Sequence, residues 1–161
     1  MSRTYRVMTV CTGNICRSPM AEVVLRARFE AAGLGDDVVV DSTGVSDEEH
    51  GRPIDPRARR VLEAHGYPVP AHRARQVRGG DLAARDLVLA MTAQHARRLR
   101  SLGDGDVRLY RSFDPAAGGL AEHLLDVEDP WYGDEAGFVT TLRQIEAAAD
   151  GVVAHVRAVR G

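Results

Sequence analysis

Cys11 and Arg17 stand in one short stretch, Cys11-Thr12-Gly13-Asn14-Ile15-Cys16-Arg17-Ser18-Pro19, which pairs a sulfur nucleophile with a permanently charged planar fork. Gly13 and Asn14 tolerate positive φ, which lets successive backbone N–H groups turn inward and form a nest around a tetrahedral anion. Arg17 adds parallel donors that match two phosphate-type oxygens. Ser18 is a good N-cap and Pro19 fits a first helical position, so the stretch is expected to wrap over a helix N-terminus, which favours anions. A cysteine sulfur in that field is favoured as thiolate over thiol. The chemistry implied is nucleophilic attack by Cys11 on an anionic centre. Thr12, Gly13, Asn14, Ile15, Cys16, Arg17 and Ser18 are the candidate anion-binding residues.

Such a loop has to be carried by a strand and a helix, and the flanking residues read that way. Tyr5 to Val10 is a strand-like run, and from Met20 apolar residues recur at helical spacing through Val23, Val24, Ala27 and Ala31. Val38-Val39-Val40 reads as a second, buried strand ending near Asp41-Ser42-Thr43-Gly44. Ligands gather at the carboxyl ends of strands in parallel sheets, so Ser42 is expected to bond the Cys11 loop through Asn14. Asp55 and Pro56 open a second helix whose apolar face carries Ala58, Val61, Leu62 and His65, with Gly66 stopping it. Tyr67 to Gly80 reads as irregular and basic, with Arg73, Arg75 and Arg78 on a solvated face.

Leu87 to Met91 is a third strand, and Thr92 caps a helix running through Ala96, Leu99 and Leu102. Val107 to Tyr110 is a fourth strand. A last helix from about Asp134 carries the stripe Phe138, Leu142, Ile145, Ala149, Val152, Val156 and Val159. That stripe reads as a domain-packing face in preference to a dimer seam, because Gly151 weakens a free coiled coil. Strands alternating with helices imply an α/β three-layer sandwich, a four-stranded parallel sheet flanked by helices, as one domain over 1–161.

If the anion is a phosphate ester, its leaving oxygen needs a proton from a carboxylic acid facing the sulfur. Asp114-Pro115 and Asp129-Pro130 both qualify by position, and Asp-Pro is also an ordinary turn start. Trp131 and Tyr132 follow Asp129 and offer a surface on which an aromatic ring can stack, which favours Asp129.

Composition narrows the class further. The chain has 161 residues, 44% apolar and 27% charged, with a net charge of −2, so it carries no basic field for nucleic acid or an anionic membrane surface. No run approaches a membrane span or a signal peptide, and a cytoplasmic location is expected, as a monomer or weak homodimer. Both cysteines lie in the loop, so they form no disulfide framework. Cys16 has two open readings, a small buried apolar residue or a partner that traps oxidised Cys11 as a disulfide. The six histidines show no paired metal-ligand spacing, and no metal or other cofactor is expected.

The segment Cys11 to Glu22, CTGNICRSPMAE, resembles the active-site loop of the low-molecular-weight protein tyrosine phosphatases, and Asp129-Pro130-Trp131-Tyr132-Gly133 resembles their acid loop. The resemblance implies a flavodoxin-like or Rossmann-like sheet and hydrolysis of phosphotyrosine in protein substrates, and of small aryl phosphates, without a cofactor. It implies that Cys11 forms a phosphocysteine, that Arg17 and the loop N–H groups hold the phosphoryl oxygens, and that Asp129 serves as acid and then base. Ser42 and His65 are expected to support the loop. Two positions depart from the pattern. Glu48 stands where an aromatic cleft wall is common, which weakens stacking and repels acidic peptides. Thr92 stands where an aspartate commonly supports the loop arginine, so Arg17 is expected to be held by other partners or less firmly. Ile15 fits the tyrosine-directed members, whereas arginine phosphatases carry threonine there. Arsenate reductases of similar loop need further cysteines, and none follows Cys16. A non-catalytic phosphate-binding module is disfavoured by the intact Cys11, Arg17 and Asp129.

Overall fold

The computed structural model describes residues 3–160. Strand β1 (Tyr5–Cys11) lies at the centre, followed by α1 (Arg17–Ala31), β2 (Val38–Gly44), α2 (Pro56–Ala64), α3 (Gly79–Ala83), β3 (Leu87–Ala90), α4 (Ala93–Leu102), β4 (Val107–Leu109) and α5 (Glu135–Arg160). The four strands form one parallel sheet in the order β2-β1-β3-β4, with Tyr5 opposite Val38, Val7 opposite Leu87 and Val88 opposite Val107. The expected three-layer α/β architecture is the observed one.

The period of two along each strand divides the interior. Val7 and Cys11 of β1 and Leu87 and Leu89 of β3 face one core, which α1 and α5 fill with Met20, Leu25, Phe29, Phe138, Leu142 and Ile145. Met8, Val10, Val88 and Ala90 face the other, where Leu82 of α3 and Ala96 and Leu99 of α4 meet them. The α5 stripe from Phe138 to Val156 is wholly buried, and only Val159 at its end is exposed. It is the packing face expected. Gly151 has a reason beyond coiled-coil avoidance, since a Cβ there would lie 2.0 Å from the Phe113 carbonyl oxygen. Main chain touches main chain where α5 crosses the turn Tyr110–Phe113.

Boundaries shift in informative places. β2 continues through Gly44, so Ser42 is inside the strand and not beyond its end. Tyr110 begins a 3-10 turn and is not the end of β4; its buried hydroxyl donates to Ile145 O at 2.7 Å, a bond that leaves the sheet. The basic stretch read as irregular ends in α3, where Asp81 accepts from the Arg78 N–H at 2.7 Å and closes a first turn that lacks apolar periodicity. Arg75 is also not merely solvated: it pairs with Asp81 at 3.2 Å and Asp41 at 3.4 Å. None of the described helices is long and apolar enough to cross a membrane.

Candidate active site

β1 ends at Cys11, paired opposite Gly44, and the chain turns through Thr12 to Cys16 into α1. The loop is held by its carbonyls. Cys11 O accepts from Val45 N at 2.9 Å, Thr12 O from Ser46 N at 3.0 Å, Ile15 O from Asp55 N at 2.9 Å, and Asn14 O from His72 Nε2 at 2.7 Å. With these carbonyls turned outward, the N–H groups of Thr12 to Cys16 donate to no group among the described residues. Free amides on one side of a tight loop form an anion cradle. Gly44 makes room for it, because a Cβ there would lie 2.6 Å from Thr12 O and 3.0 Å from Asn14 N.

Positive φ falls on Asn14 alone (φ 61) and not on Gly13. Asparagine enters the left-handed region at lower cost than most residues, and here its side chain is fully engaged. Asn14 Nδ2 donates to Ser18 Oγ and Ser42 Oγ, both at 2.9 Å, while its Oδ1 accepts from Arg75 N at 3.1 Å. The bond from Asn14 to Ser42 is the one expected from sequence. Ser42 in turn donates to Glu22 Oε1 at 2.7 Å.

Ser18 is not the N-cap. Helix α1 starts at Arg17 with Cys16 in the cap position, and Ser18 lies in the first turn with its hydroxyl folded beneath the loop. Having accepted from Asn14, that hydroxyl has one hydrogen and two acceptors in reach, Thr43 O at 3.1 Å and Cys11 Sγ at 3.0 Å. The serine that a cap rule assigns to the helix end instead sets its hydroxyl within hydrogen-bond reach of the sulfur. Pro19 is still tolerated, because no first-turn N–H has an intrahelical partner.

Arg17 is buried beside the loop. It donates to Val127 O at 3.1 Å and Thr12 Oγ1 at 3.3 Å, and its Nη2 lies 3.4 Å from Asp129 Oδ2. Of the two outcomes left open by Thr92, other partners or a looser hold, the structure shows other partners; Thr92 itself caps α4, accepting from His95 N at 3.1 Å. Burial, followed by the charge of Asp55, pushes the Cys16 thiol well above its ordinary value. At neutral pH Cys16 is therefore a thiol. Both cysteines are free and buried.

Asp129 belongs to a loop fastened by side chains from elsewhere. Its Oδ1 accepts from Trp131 N at 3.1 Å. Arg57, at the start of α2, donates to Trp131 O at 3.3 Å and Gly133 O at 3.4 Å, and stacks 5.3 Å from the Trp131 ring and 4.7 Å from Phe138. Asp55 fixes Arg57 in return at 2.9 Å. Burial alone would raise the Asp55 pKa, yet the hydrogen bonds and charge of Arg57 outweigh it and hold the carboxyl below its usual range. Asp114, the competing acid, accepts from Ala116 N at 2.9 Å and caps a 3-10 turn, as an ordinary Asp-Pro does.

A cleft of about 210 Å³ has Cys11, Thr12, Gly13, Ile15, Cys16 and Arg17 as its floor. Ser46, Glu48 and Glu49 and, from the later loop, Asp129, Trp131 and Tyr132 complete its lining. Asn14, Ser18 and Ser42 lie beneath the floor as its bracing. His65 does not join them: it is exposed at the C-terminus of α2 with its ring on Val61 O at 2.8 Å, and helical spacing misled because that turn has already left the core. Two other histidines do reach the loop: His72, in a stretch without any periodic signal, at Asn14 O, and His95 at Thr12 Oγ1. Among the described residues no three His, Cys, Asp or Glu side chains are grouped as a metal site.

The family model for low molecular weight phosphotyrosine protein phosphatase matches residues 6–160. The chain belongs to that family. It is 50% identical over 159 residues to a low molecular weight protein-tyrosine-phosphatase of Streptomyces coelicolor, covering 96% of this chain and 94% of the relative. The human low molecular weight phosphotyrosine protein phosphatase is 35% identical over 147 residues, 88% of this chain and 89% of the relative. Among solved structures, a protein tyrosine phosphatase from Entamoeba histolytica with Hepes in its active site superposes with a TM-score of 0.88 at 26% identity, covering 98% and 100% of the two chains. These likenesses span both the Cys11 loop and the Asp129 loop, so membership rests on the whole fold and not on the loop motif alone.

Proposed function

We propose that this phosphatase-family chain hydrolyses phosphotyrosine in proteins, and small aryl phosphates, through a phosphocysteine on Cys11. One observation carries the reading. The Cys11 sulfur sits at the root of a loop whose carbonyls are tied outward, with Arg17 and Asp129 only 3.4 Å apart at the same cleft. Cys11 Sγ attacks phosphorus in line with the ester oxygen, forming the S–P bond as the P–O bond breaks. Arg17 and the N–H groups of Thr12 to Cys16 hold the three non-bridging oxygens, where charge is greatest in the transition state. Asp129 gives its proton to the departing phenolate. It then removes a proton from water, whose oxygen attacks phosphorus and returns the sulfur as thiolate, releasing phosphate.

Ser18 stabilises the free sulfur by turning its hydroxyl hydrogen from Thr43 O to Sγ. The aromatic ring of the substrate lies against Trp131 and Tyr132, in a cleft that Glu48 and Glu49 also line. Glu48 makes no ion pair among the described residues, whereas Glu49 pairs with Arg52 at 3.3 Å. Peptides with basic flanks are therefore favoured over acidic ones.

The test is hydrolysis of an aryl phosphate by the wild type, Cys11→Ser and Asp129→Asn. Cys11→Ser is expected to lose at least about 10⁴-fold in kcat. Asp129→Asn is expected to lose about 10²-fold or more, and the loss should shrink with leaving groups that need no proton. Equal rates in all three proteins would discard the assignment.

A further inference from the structure

The chemistry above leaves one buried histidine without a task. We infer that His95, as a neutral ring, is a positioning residue that fixes the Thr12 hydroxyl and, through it, the guanidinium of Arg17. The inference rests on the reading of Arg17 as the group that holds the phosphoryl oxygens.

His95 lies in the first turn of α4 and is 4% exposed. Its Nε2 is 2.8 Å from Thr12 Oγ1, and its Nδ1 is buried with no partner among the described residues. A hydrogen on Nδ1 would be an orphaned buried donor, which proteins avoid more strictly than an orphaned acceptor. The hydrogen therefore belongs on Nε2, which donates to Thr12. Arg17 Nη2 donates to the same oxygen at 3.3 Å. Two donors occupy both lone pairs of the hydroxyl, so its own hydrogen points away from both, toward the cleft that Thr12 lines.

Neutrality is part of the device. Burial, and then the Arg17 charge, push the His95 pKa down to about 3, so the ring does not charge in the working range. A carboxylate in this place would compete with the phosphoryl oxygens for Arg17, and an imidazolium would repel the arginine. Thr92, where the family commonly has an aspartate, spends its hydroxyl on His95 N and offers Arg17 nothing. The route from α4 to the arginine runs through His95 and Thr12 instead.

The experiment compares kcat/KM for an aryl phosphate, and inhibition by inorganic phosphate, in His95→Leu, Thr12→Val, the double variant, His95→Gln and Arg17→Ala. Each of the first two should lose about tenfold in kcat/KM, with weaker phosphate inhibition. The double variant should lose no more than either alone, and His95→Gln, a neutral donor, should recover part of the loss. Multiplying losses, or an unchanged kcat/KM per folded His95→Leu molecule, would overturn the inference. Thr12 is exposed, so its variant tests the route even where His95→Leu does not fold. In wild type the ring ¹⁵N shifts should report a neutral Nε2–H tautomer and should move in Thr12→Val; a ring protonated at about pH 6, or one carrying its hydrogen on Nδ1, would also overturn it. An Arg17→Ala protein with wild-type activity would instead remove the reading of Arg17, a separable failure.

Discussion

The Cys11 loop and the Asp129 loop line one cleft and are fastened by different means. Of the four ties on the first loop's carbonyls, three are main chain to main chain, from Val45, Ser46 and Asp55, and a side chain, His72, supplies the fourth. The second is fastened largely by long side chains: Arg17 on Val127 O, Arg111 on Asp126 O, Gln144 on Glu128 N, Thr141 on Glu128 O, and Arg57 on Trp131 and Gly133. Loop sequence can vary around main-chain ties, provided that the backbone can come close, so their weak point is a glycine. Side-chain ties can be removed one at a time, so the acid loop should lose function in steps.

The largest effect is expected where the backbone needs room. Gly44→Ala would drive a methyl group against Thr12 O, cutting kcat/KM by about 10²-fold and destabilising the fold by roughly 1–3 kcal/mol in urea unfolding. A variant with wild-type kinetics would erase the contrast between the loops.

Next comes Arg57→Ala, which frees the acid loop from α2 while leaving the cradle intact. It should lower kcat about tenfold and change KM little, because Asp129 drifts while the phosphate site stays. The same variant carries a pH signature. The pKa of Asp55 is depressed in the folded state by Arg57, so the pair stabilises the fold fully above the unfolded value of about 4, and that stability fades as pH falls through the lower folded value. Wild type should therefore exceed the variant in urea midpoint at neutral pH, with the gap closing in acid; a gap that widened in acid would contradict the pairing.

The smallest effect is expected from Tyr132→Ala. The side chain is 90% exposed, so stability should stay within about 0.5 kcal/mol, while KM for an aryl phosphate rises a few-fold. A loss of stability comparable to that of Gly44→Ala would mean that this loop, too, is part of the frame.

This division also decides what could be read from sequence. The gathering of Cys11, Arg17 and Asp129 at one cleft and the Asn14 to Ser42 bond were legible because each rests on residue type at short range, or on a strand end where ligands gather. The α5 stripe was legible through its period. His72, Arg75, His95 and Arg57 were not, since each acts across 58 to 83 positions, as in His72 to Asn14 and His95 to Thr12, and nothing in local spacing marks a residue whose partner is so distant. Ser18 was misread because a cap rule assumes that a helix begins where a capping residue type stands, while the loop starts the helix two residues earlier and brings that hydroxyl within 3.0 Å of the sulfur. His65 was misread because periodicity continues past the point at which a helix leaves its core.

The bare crossing at Gly151 links these regions over a distance. Because α5 seats its backbone directly on Phe113 O, and because Thr141 and Gln144 of that same helix hold Glu128, any bulk at the crossing would tip the helix like a beam on a raised pivot and carry its far end away from the acid. A methyl group added there, remote in sequence from Cys11 and Arg17, would force helix or turn to move, and would register as a softer fold together with a looser hold on Glu128, the neighbour of Asp129.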